Sequence, residues 1–248
     1  MRARFTVAAI GLAVFFFLPH SAHSQGLPDI VWEDGTLTHS VGGVAFSPDG
    51  TFVASAGSYN VHLWRASDGL PLGDFSVYPH AVHSVDISAV SPYVAVGYIV
   101  VDYAPGGVAA VWDTELNEEV YTTGGNHVAF SPDGGILASG GGGVNRSLYL
   151  TEVPGGSERF AVGTGNYLLD VAYSPDGNHV ATCGSGNDIK IWDPVTGTLI
   201  RTLTGHTDDV NAVDFSPDGS LLVSGAGGWD EPGESSIKIW RVSDGELL

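Results

Sequence analysis

Two stretches of the chain bring together side chains that could act on another molecule: Tyr98-Ile-Val-Val-Asp102-Tyr103-Ala-Pro-Gly-Gly107 and Ala226-Gly-Gly-Trp229-Asp230-Glu231-Pro-Gly-Glu234. Tyr98, Tyr103 and Trp229 are large amphipathic anchors, and Asp102, Asp230 and Glu231 stand beside them. This combination suits recognition of a protein or peptide that carries basic groups. The plainer alternative is that both stretches are loop elongations whose aromatics fold back on the body of the protein. Asp230 and Glu231 are also the residue types of an acid–base pair, although adjacent carboxylates in an acidic chain are usually solvated.

Other chemistry has little support. There is no nucleophile elbow, no histidine pair at metal-ligand spacing, and a single cysteine, Cys183. A lone cysteine forms no intrachain disulfide, so stability has to come from packing, and Cys183 reads as a small core residue. Asp recurs in each well-kept Ser-Pro-Asp-Gly turn, but one carboxylate per turn falls far short of the six to eight oxygens that calcium takes. The expectation is therefore no metal, no cofactor and no enzyme activity.

The chain has 248 residues with 28 acids against 9 Lys and Arg, a formal charge of −19. Such a surface repels nucleic acid and anionic lipid, which leaves proteins as the expected partners. Arg2 and Arg4 precede an apolar run from Phe5 to Leu18, and Ala22 and Ser24 place small residues before Gln25. This pattern predicts a signal peptide over residues 1–24 and a cut after Ser24. The run is short of the roughly twenty residues needed to span a bilayer, so the expectation is a secreted or periplasmic protein with no membrane insertion after cleavage.

The elements that must position these groups come from a repeat. Phe46-Ser-Pro-Asp-Gly50, Phe130-Ser-Pro-Asp-Gly134, Tyr173-Ser-Pro-Asp-Gly177 and Phe215-Ser-Pro-Asp-Gly219 are four copies of one signature, with a degraded fifth from Ile87 to Tyr93. Successive markers lie 41, 43, 43 and 42 residues apart. Pro presets φ at the second turn position, Asp suits the third and Gly accepts the left-handed fourth, so each copy reads as a hairpin turn. β-rich segments flank it, as in Val210 to Phe215 and Ser220 to Ser224. A third strand comes next, ending at Trp64, Trp112, Leu150, Trp192 or Trp240, and segments such as Leu199 to Leu203 supply a fourth. No helical period survives, and four strands in about forty residues make one propeller blade. The expected fold is an all-β propeller of about five four-stranded blades over residues 25–248, or an incomplete part of a larger one.

From about Val31 to Leu248 these residues resemble WD repeats, with Trp192-Asp193 as the signature dipeptide and Gly205-His206 leading into the fifth repeat. The resemblance implies a toroidal scaffold for protein assembly, of a bacterial-type exported kind if the leader is cleaved. It also implies a hydrogen-bonded network of His, Ser or Thr, Trp and a turn Asp within a blade. Carried over, the matching residues are His206, Ser224 and Trp240 in the fifth repeat, Thr182 and Trp192 in the fourth, and Ser55 and Trp64 in the first. The second repeat departs with Val96 at the hydroxyl position, and the third with Leu150 in place of Trp; no repeat shows a clear turn Asp. Residues around Thr36 to His39 could complete the blade of Trp240 and close five blades, whereas Gly245 to Leu248 lies where a fourth strand and another blade would begin; both readings stand.

The two insertions fall at equivalent points in the second and fifth repeats and therefore on one rim. A hydrolase or lyase on the same fold is the competing class, and it would gather carboxylates or histidines in the central channel. A related exported propeller family with Ser-Pro-Asp-Gly turns is a second alternative. Asn145-Arg-Ser147 has the form of a glycosylation sequon.

Overall fold

The computed structural model describes residues 4–5, 41–57, 59–77, 80–90, 92–100, 106–141, 146–227, 233 and 235–248. The described residues contain no helix. Their strands fall into five antiparallel sheets, one for each sequence repeat. Blade 1 comprises β1 (Arg4–Phe5), β2 (Val41–Phe46), β3 (Phe52–Gly57), β4 (Asn60–Arg65) and β5 (Pro71–Ser76); blade 2 comprises β6 (Ala81–Ile87), β7 (Tyr93–Val100), β8 (Gly106–Asp113) and β9 (Glu118–Gly124). Blade 3 is built from β10 (His127–Phe130), β11 (Ile136–Gly140), β12 (Ser147–Glu152) and β13 (Glu158–Gly163). In blade 4 the strands are β14 (Leu168–Tyr173), β15 (Val180–Gly184), β16 (Asp188–Trp192) and β17 (Leu199–Thr204). Blade 5 holds β18 (Val210–Phe215), β19 (Leu221–Gly227) and β20 (Ser235–Arg241).

The proline turns hold the first hairpin of each blade by a repeated set of bonds. In the first copy Ser47 Oγ donates to Asp49 Oδ1 at 2.6 Å, the Thr51 amide donates to the same oxygen at 3.0 Å, and the Phe52 amide donates to Ser47 Oγ at 2.9 Å. The Ser–Asp bond recurs at 2.6 Å in Ser131–Asp133, Ser174–Asp176 and Ser216–Asp218. Each turn glycine has φ between 72° and 75°, which an L side chain rarely adopts. Gathering donors around the carboxylate favours its charged form, so Asp49, Asp133 and Asp176 sit below the usual carboxylate range, and Asp218 drops to about 2.

Each blade pairs in chain order, and one strand from each contacts its counterpart in the next: β2 against β6, β6 against β10, β10 against β14, and β14 against β18. The core is correspondingly divided into four apolar clusters, and each cluster joins two consecutive blades. Between blades 4 and 5, for example, Ala181, Cys183, Ile189 and Ile191 meet Val213, Phe215, Leu222 and Trp240. Each blade thus covers its neighbour's apolar face, and the seams between blades are where most hydrophobic burial occurs. Cys183 lies inside one of them, where burial pushes its thiol pKa up.

Register corrects one reading of the third repeat. In blade 4 Ala181 faces Ile191 and Val180 faces Trp192; in blade 3 Ala138 faces Leu150 and Leu137 faces Thr151. The residue in the tryptophan position is therefore Thr151, and Leu150 corresponds to Ile191. The second-to-third strand connection is longer in blade 3, and side chains alternate faces, so a slip of one residue exchanges the two faces. Leu148 and Leu150 are both buried in the seam with blade 4.

The expected leader over residues 1–24 falls outside the described residues except for Arg4 and Phe5, which pair with Ala45 and Val44 of β2. Thr36 to His39 and Asn145 also fall outside them. At the other end of the molecule, Leu247 bridges to Trp240 and the Leu248 amide donates to the Ile239 carbonyl at 2.9 Å, taking part of the fourth-strand position of blade 5.

Candidate interaction surfaces

Within the blades, polar side chains are engaged in holding sheets together. Trp64 Nε1 donates to Ser55 Oγ, Trp192 Nε1 to Thr182 Oγ1, and Trp240 Nε1 to Ser224 Oγ, each at 2.8 Å. In blade 5 His206 Nε2 also lies 2.7 Å from Ser224 Oγ, and its Nδ1 lies 3.3 Å from Lys238 Nζ. Lysine has only donors, so Nδ1 accepts and Nε2 is left to donate to Ser224. This places His206 as a strut between the approach to β18 and the middle strands of its blade. Blade 2 lacks the hydroxyl, and there Trp112 Nε1 is buried without a partner, as Val96 in that position requires.

A second set of bonds crosses the seams, and no motif in the sequence announces it. The Val128 amide donates to Ser84 Oγ at 3.2 Å, the Phe130 amide to Asp86 Oδ2 at 2.7 Å, and the Val213 amide to Asp170 Oδ2 at 3.0 Å. Ser84 and Asp170 both lie three residues before their turn markers, Ile87 and Tyr173. In the third repeat that place belongs to His127, whose Nδ1 is buried and unpaired. Burial, and after it the nearby His83, lower the His127 pKa to about 4. The signal that could have found these residues is positional: polar types recur three places before the marker on an otherwise apolar strand.

A cavity of about 570 Å³ is bordered by residues of all five blades, mostly from their inner strands. His83, Asp170 and Asp214 lie along it, the residue types an enzyme would use. The two carboxylates are also bonded to backbone. Both Asp170 oxygens accept backbone amides, those of Val171 and Val213, and Asp214 accepts that of Phe215. Among the described residues no three His, Cys, Asp or Glu side chains are grouped as a metal site.

Of the expected rim anchors, Asp102, Tyr103, Trp229, Asp230 and Glu231 lie outside the described residues. Tyr98 is described, and its placement corrects the expectation of a loop residue. The strand β7 runs on to Val100, and Tyr98 is 7% exposed within the seam of blades 1 and 2, stacked on His80 at 5.0 Å and 4°. The aromatic ring is drawn into the core because its strand position faces blade 1, and burial raises its phenol pKa.

Blade 5 exposes apolar side chains on a strand face. Val223, Ile237 and Ile239 are 41%, 77% and 44% exposed, whereas their counterparts in blade 4, Ala181, Ile189 and Ile191, are 0%, 0% and 1% exposed. Gly225 stands where blade 4 has Cys183, and a Cβ added there would meet nothing within 4 Å. Val223, Gly225 and Ile237 line the same cavity as Gly42, Gly43 and Val44 of blade 1.

Comparison with known proteins agrees with this geometry. The family described as "WD domain, G-beta repeat" matches residues 33–65, 159–193 and 197–241. The WD repeat-containing protein SL1-17 of Schistosoma mansoni is 31% identical over 234 residues, covering 92% of this chain and 70% of the relative. The chain belongs to the WD-repeat family. Shorter alignments join it to WD repeat-containing protein srw1 of Schizosaccharomyces pombe, 31% identical over 54% of this chain and 24% of the relative, and to the anaphase-promoting complex subunit cdh1 of Dictyostelium discoideum, 35% identical over 46% and 15%. This WD-repeat chain thus spans a quarter or less of those two proteins.

These relatives correct the expected location. They are eukaryotic and include proteins named for the anaphase-promoting complex and the cell cycle, so the reading as a bacterial-type exported protein, secreted or periplasmic, is overturned. A short apolar run behind two arginines meets the compositional criteria for a leader whatever domain it precedes, so composition alone does not fix location. Among the described residues no helix is long and apolar enough to cross a membrane.

Proposed function

We propose that this WD-repeat protein is a non-enzymatic scaffold that binds a protein or peptide with basic groups through the rim carrying the stretches 98–107 and 226–234. The observation that carries this reading is the use made of the polar side chains. His206, Ser224, Asp86 and Asp170 hold strands and blades together, and the turn carboxylates close hairpins; in the two stretches the sequence sets Tyr103 and Trp229 beside the acids Asp102, Asp230 and Glu231. Equivalent connections of a repeat array emerge on one face and form a shared binding surface. A net charge of −19 steers a cationic partner toward the protein.

Fluorescence anisotropy with labelled Lys/Arg-rich peptides, set against acidic peptides of the same length, tests the reading. The full chain is expected to prefer the basic set. Trp229→Ala, or Asp230→Asn with Glu231→Gln, should weaken binding tenfold or more, and thermal denaturation should be unchanged. Equal binding of both peptide sets, or wild-type affinity in the variants, would refute the rim as the site.

A further inference from the structure

The cations of this acidic chain are mostly spent on its own groups. Arg65, Arg159 and Lys190 meet the carboxylates of Asp68, Glu152 and Asp188, and Arg241 meets those of Asp244 and Glu246. Arg201 gives both terminal nitrogens to the carbonyls of Ser243 and Asp244. Arg146 differs. It is exposed, has no carboxylate partner among the described residues, and donates to them through Nη1 alone, to the Gly165 carbonyl at 3.2 Å. Its guanidinium carbon sits 4.4 Å over the ring of Tyr167, which is itself 43% exposed.

The backbone holds this arrangement in place. Arg146 has φ 26°, a conformation that costs a residue with a side chain, and its carbonyl accepts both the amide and the hydroxyl of Thr164, at 2.8 and 2.7 Å. Thr164 is buried, and its own carbonyl accepts Lys190 Nζ of blade 4 at 2.6 Å, while the Tyr167 amide donates to Ser185 Oγ of the same blade at 3.2 Å. Blades 3 and 4 thus grip the segment 164–167 from both sides. The guanidinium is oriented before any ligand arrives, with one face against an aromatic ring and the Nε and Nη2 edge without a partner among the described residues. A stacked guanidinium open along one edge is built to fork a carboxylate.

We propose that Arg146 is the receptor for a carboxylate of the peptide partner, on a side chain or at the chain end. This deepens the rim reading and rests on it. The connection that carries Arg146 joins the second and third strands of blade 3, as those within 98–107 and 226–234 do in blades 2 and 5, so all three emerge on one rim. Charge selects a carboxylate over a phosphate. One guanidinium edge neutralises a single negative charge, and a dianion would have to approach a molecule of net charge −19. The partner is thus a basic peptide with an acidic group set among its cations.

Fluorescence anisotropy with the full chain tests this, using amidated peptides in which one Glu is moved through a Lys/Gln background and the all-Gln peptide serves as reference. Replacing Gln by Glu lowers the peptide's positive charge, so the long-range field of the protein by itself disfavours it. A preference for Glu therefore has to come from a local cation. The wild-type chain is expected to bind the best Glu peptide about fivefold more tightly than the reference. Arg146→Gln should bind both at the reference affinity, and Arg146→Lys, which keeps the charge and loses the fork, should lose most of the preference. The reference peptide with a free C-terminus is the second arm: a gain there without a gain from Glu places the carboxylate at the chain end. Trp229→Ala should weaken every peptide by one factor and leave the Glu preference intact. A wild-type chain that binds the peptides with no preference for either carboxylate overturns the Arg146 assignment and leaves the rim reading standing. So does Arg146→Gln that retains the preference, or that weakens all peptides alike as a merely structural residue would. No binding of any peptide overturns both.

Discussion

Blades 4 and 5 share one turn and one third strand in different surroundings. Ile189-Lys190-Ile191-Trp192 and Ile237-Lys238-Ile239-Trp240 occupy one register, and both tryptophans donate to a hydroxyl on the neighbouring strand at 2.8 Å. The isoleucines of blade 4 are sealed beneath blade 5, and those of blade 5 face outward. Local bonding is thus a property of the repeat, while apolar burial is a property of the pair of repeats. The stability of such an array resides largely in its interfaces.

Deleting the same atoms from the two blades is the sharpest way to break this comparison. Ile189→Ala should cost about 2–5 kcal/mol, the usual penalty for a large-to-small change in a sealed core, and Ile237→Ala about 0.5 kcal/mol or less. Urea unfolding of the two variants measures both, and equal losses would mean that the blade 5 face is covered in solution.

The seams also differ in their acceptors, and pH separates them. The His127 pKa is depressed to about 4 in the folded chain from an ordinary 6.5, so between those values the unfolded state binds more protons and stability falls as pH drops through the window. The full effect is on the order of 3 kcal/mol at 1.36 kcal/mol per pKa unit. It is absent above pH 6.5 and complete below about 4. His127→Asn should flatten the wild-type slope of unfolding free energy between pH 6.5 and 4.5, whereas a slope that persisted would assign it to other groups, His83 among them.

A smaller pair of effects compares blade 4 with blade 2. Thr182→Val orphans the buried Trp192 Nε1–H and should destabilise by about 1–3 kcal/mol; Val96→Thr offers Trp112 the hydroxyl it lacks and should stabilise by about 1 kcal/mol. Thermal melts of both variants, together with the shift of tryptophan fluorescence, give the sign in each case. Opposite signs are expected, and two losses would show that blade 2 has relaxed around its unpaired indole.

Much of the fold was legible because its determinants are local. Ser-Pro-Asp-Gly dictates a hairpin wherever it occurs, and the spacing of its copies counts the blades before any contact is known. The hydroxyl–tryptophan pairs were legible for a related reason, since Ser55, Thr182 and Ser224 each lie nine residues past their turn markers Phe46, Tyr173 and Phe215. The third blade shows the limit: a longer loop displaced Leu150 by one residue from the position expected of it, and only the strand pairing with Ala138 reveals it.

The candidate site was read less well. Tyr98 has the composition of a rim anchor, yet which side of a strand faces blade 1 depends on how far β7 extends, and nothing local marks that end. The interblade acceptors Ser84, Asp86 and Asp170 went unread because their partners lie 43 or 44 residues away on a different sheet. The N-terminal run suggested export by composition alone, and kinship with eukaryotic WD-repeat proteins overrode it.

By itself the sequence determined the unit: four short strands, the turns that join them and the hydroxyl each indole can reach, all settled by interactions within about forty residues. Which faces are closed was decided only in the tertiary structure. Burial belongs to two surfaces at once, and Ile189 and Ile237 differ in what lies across from them, not in what lies beside them along the chain.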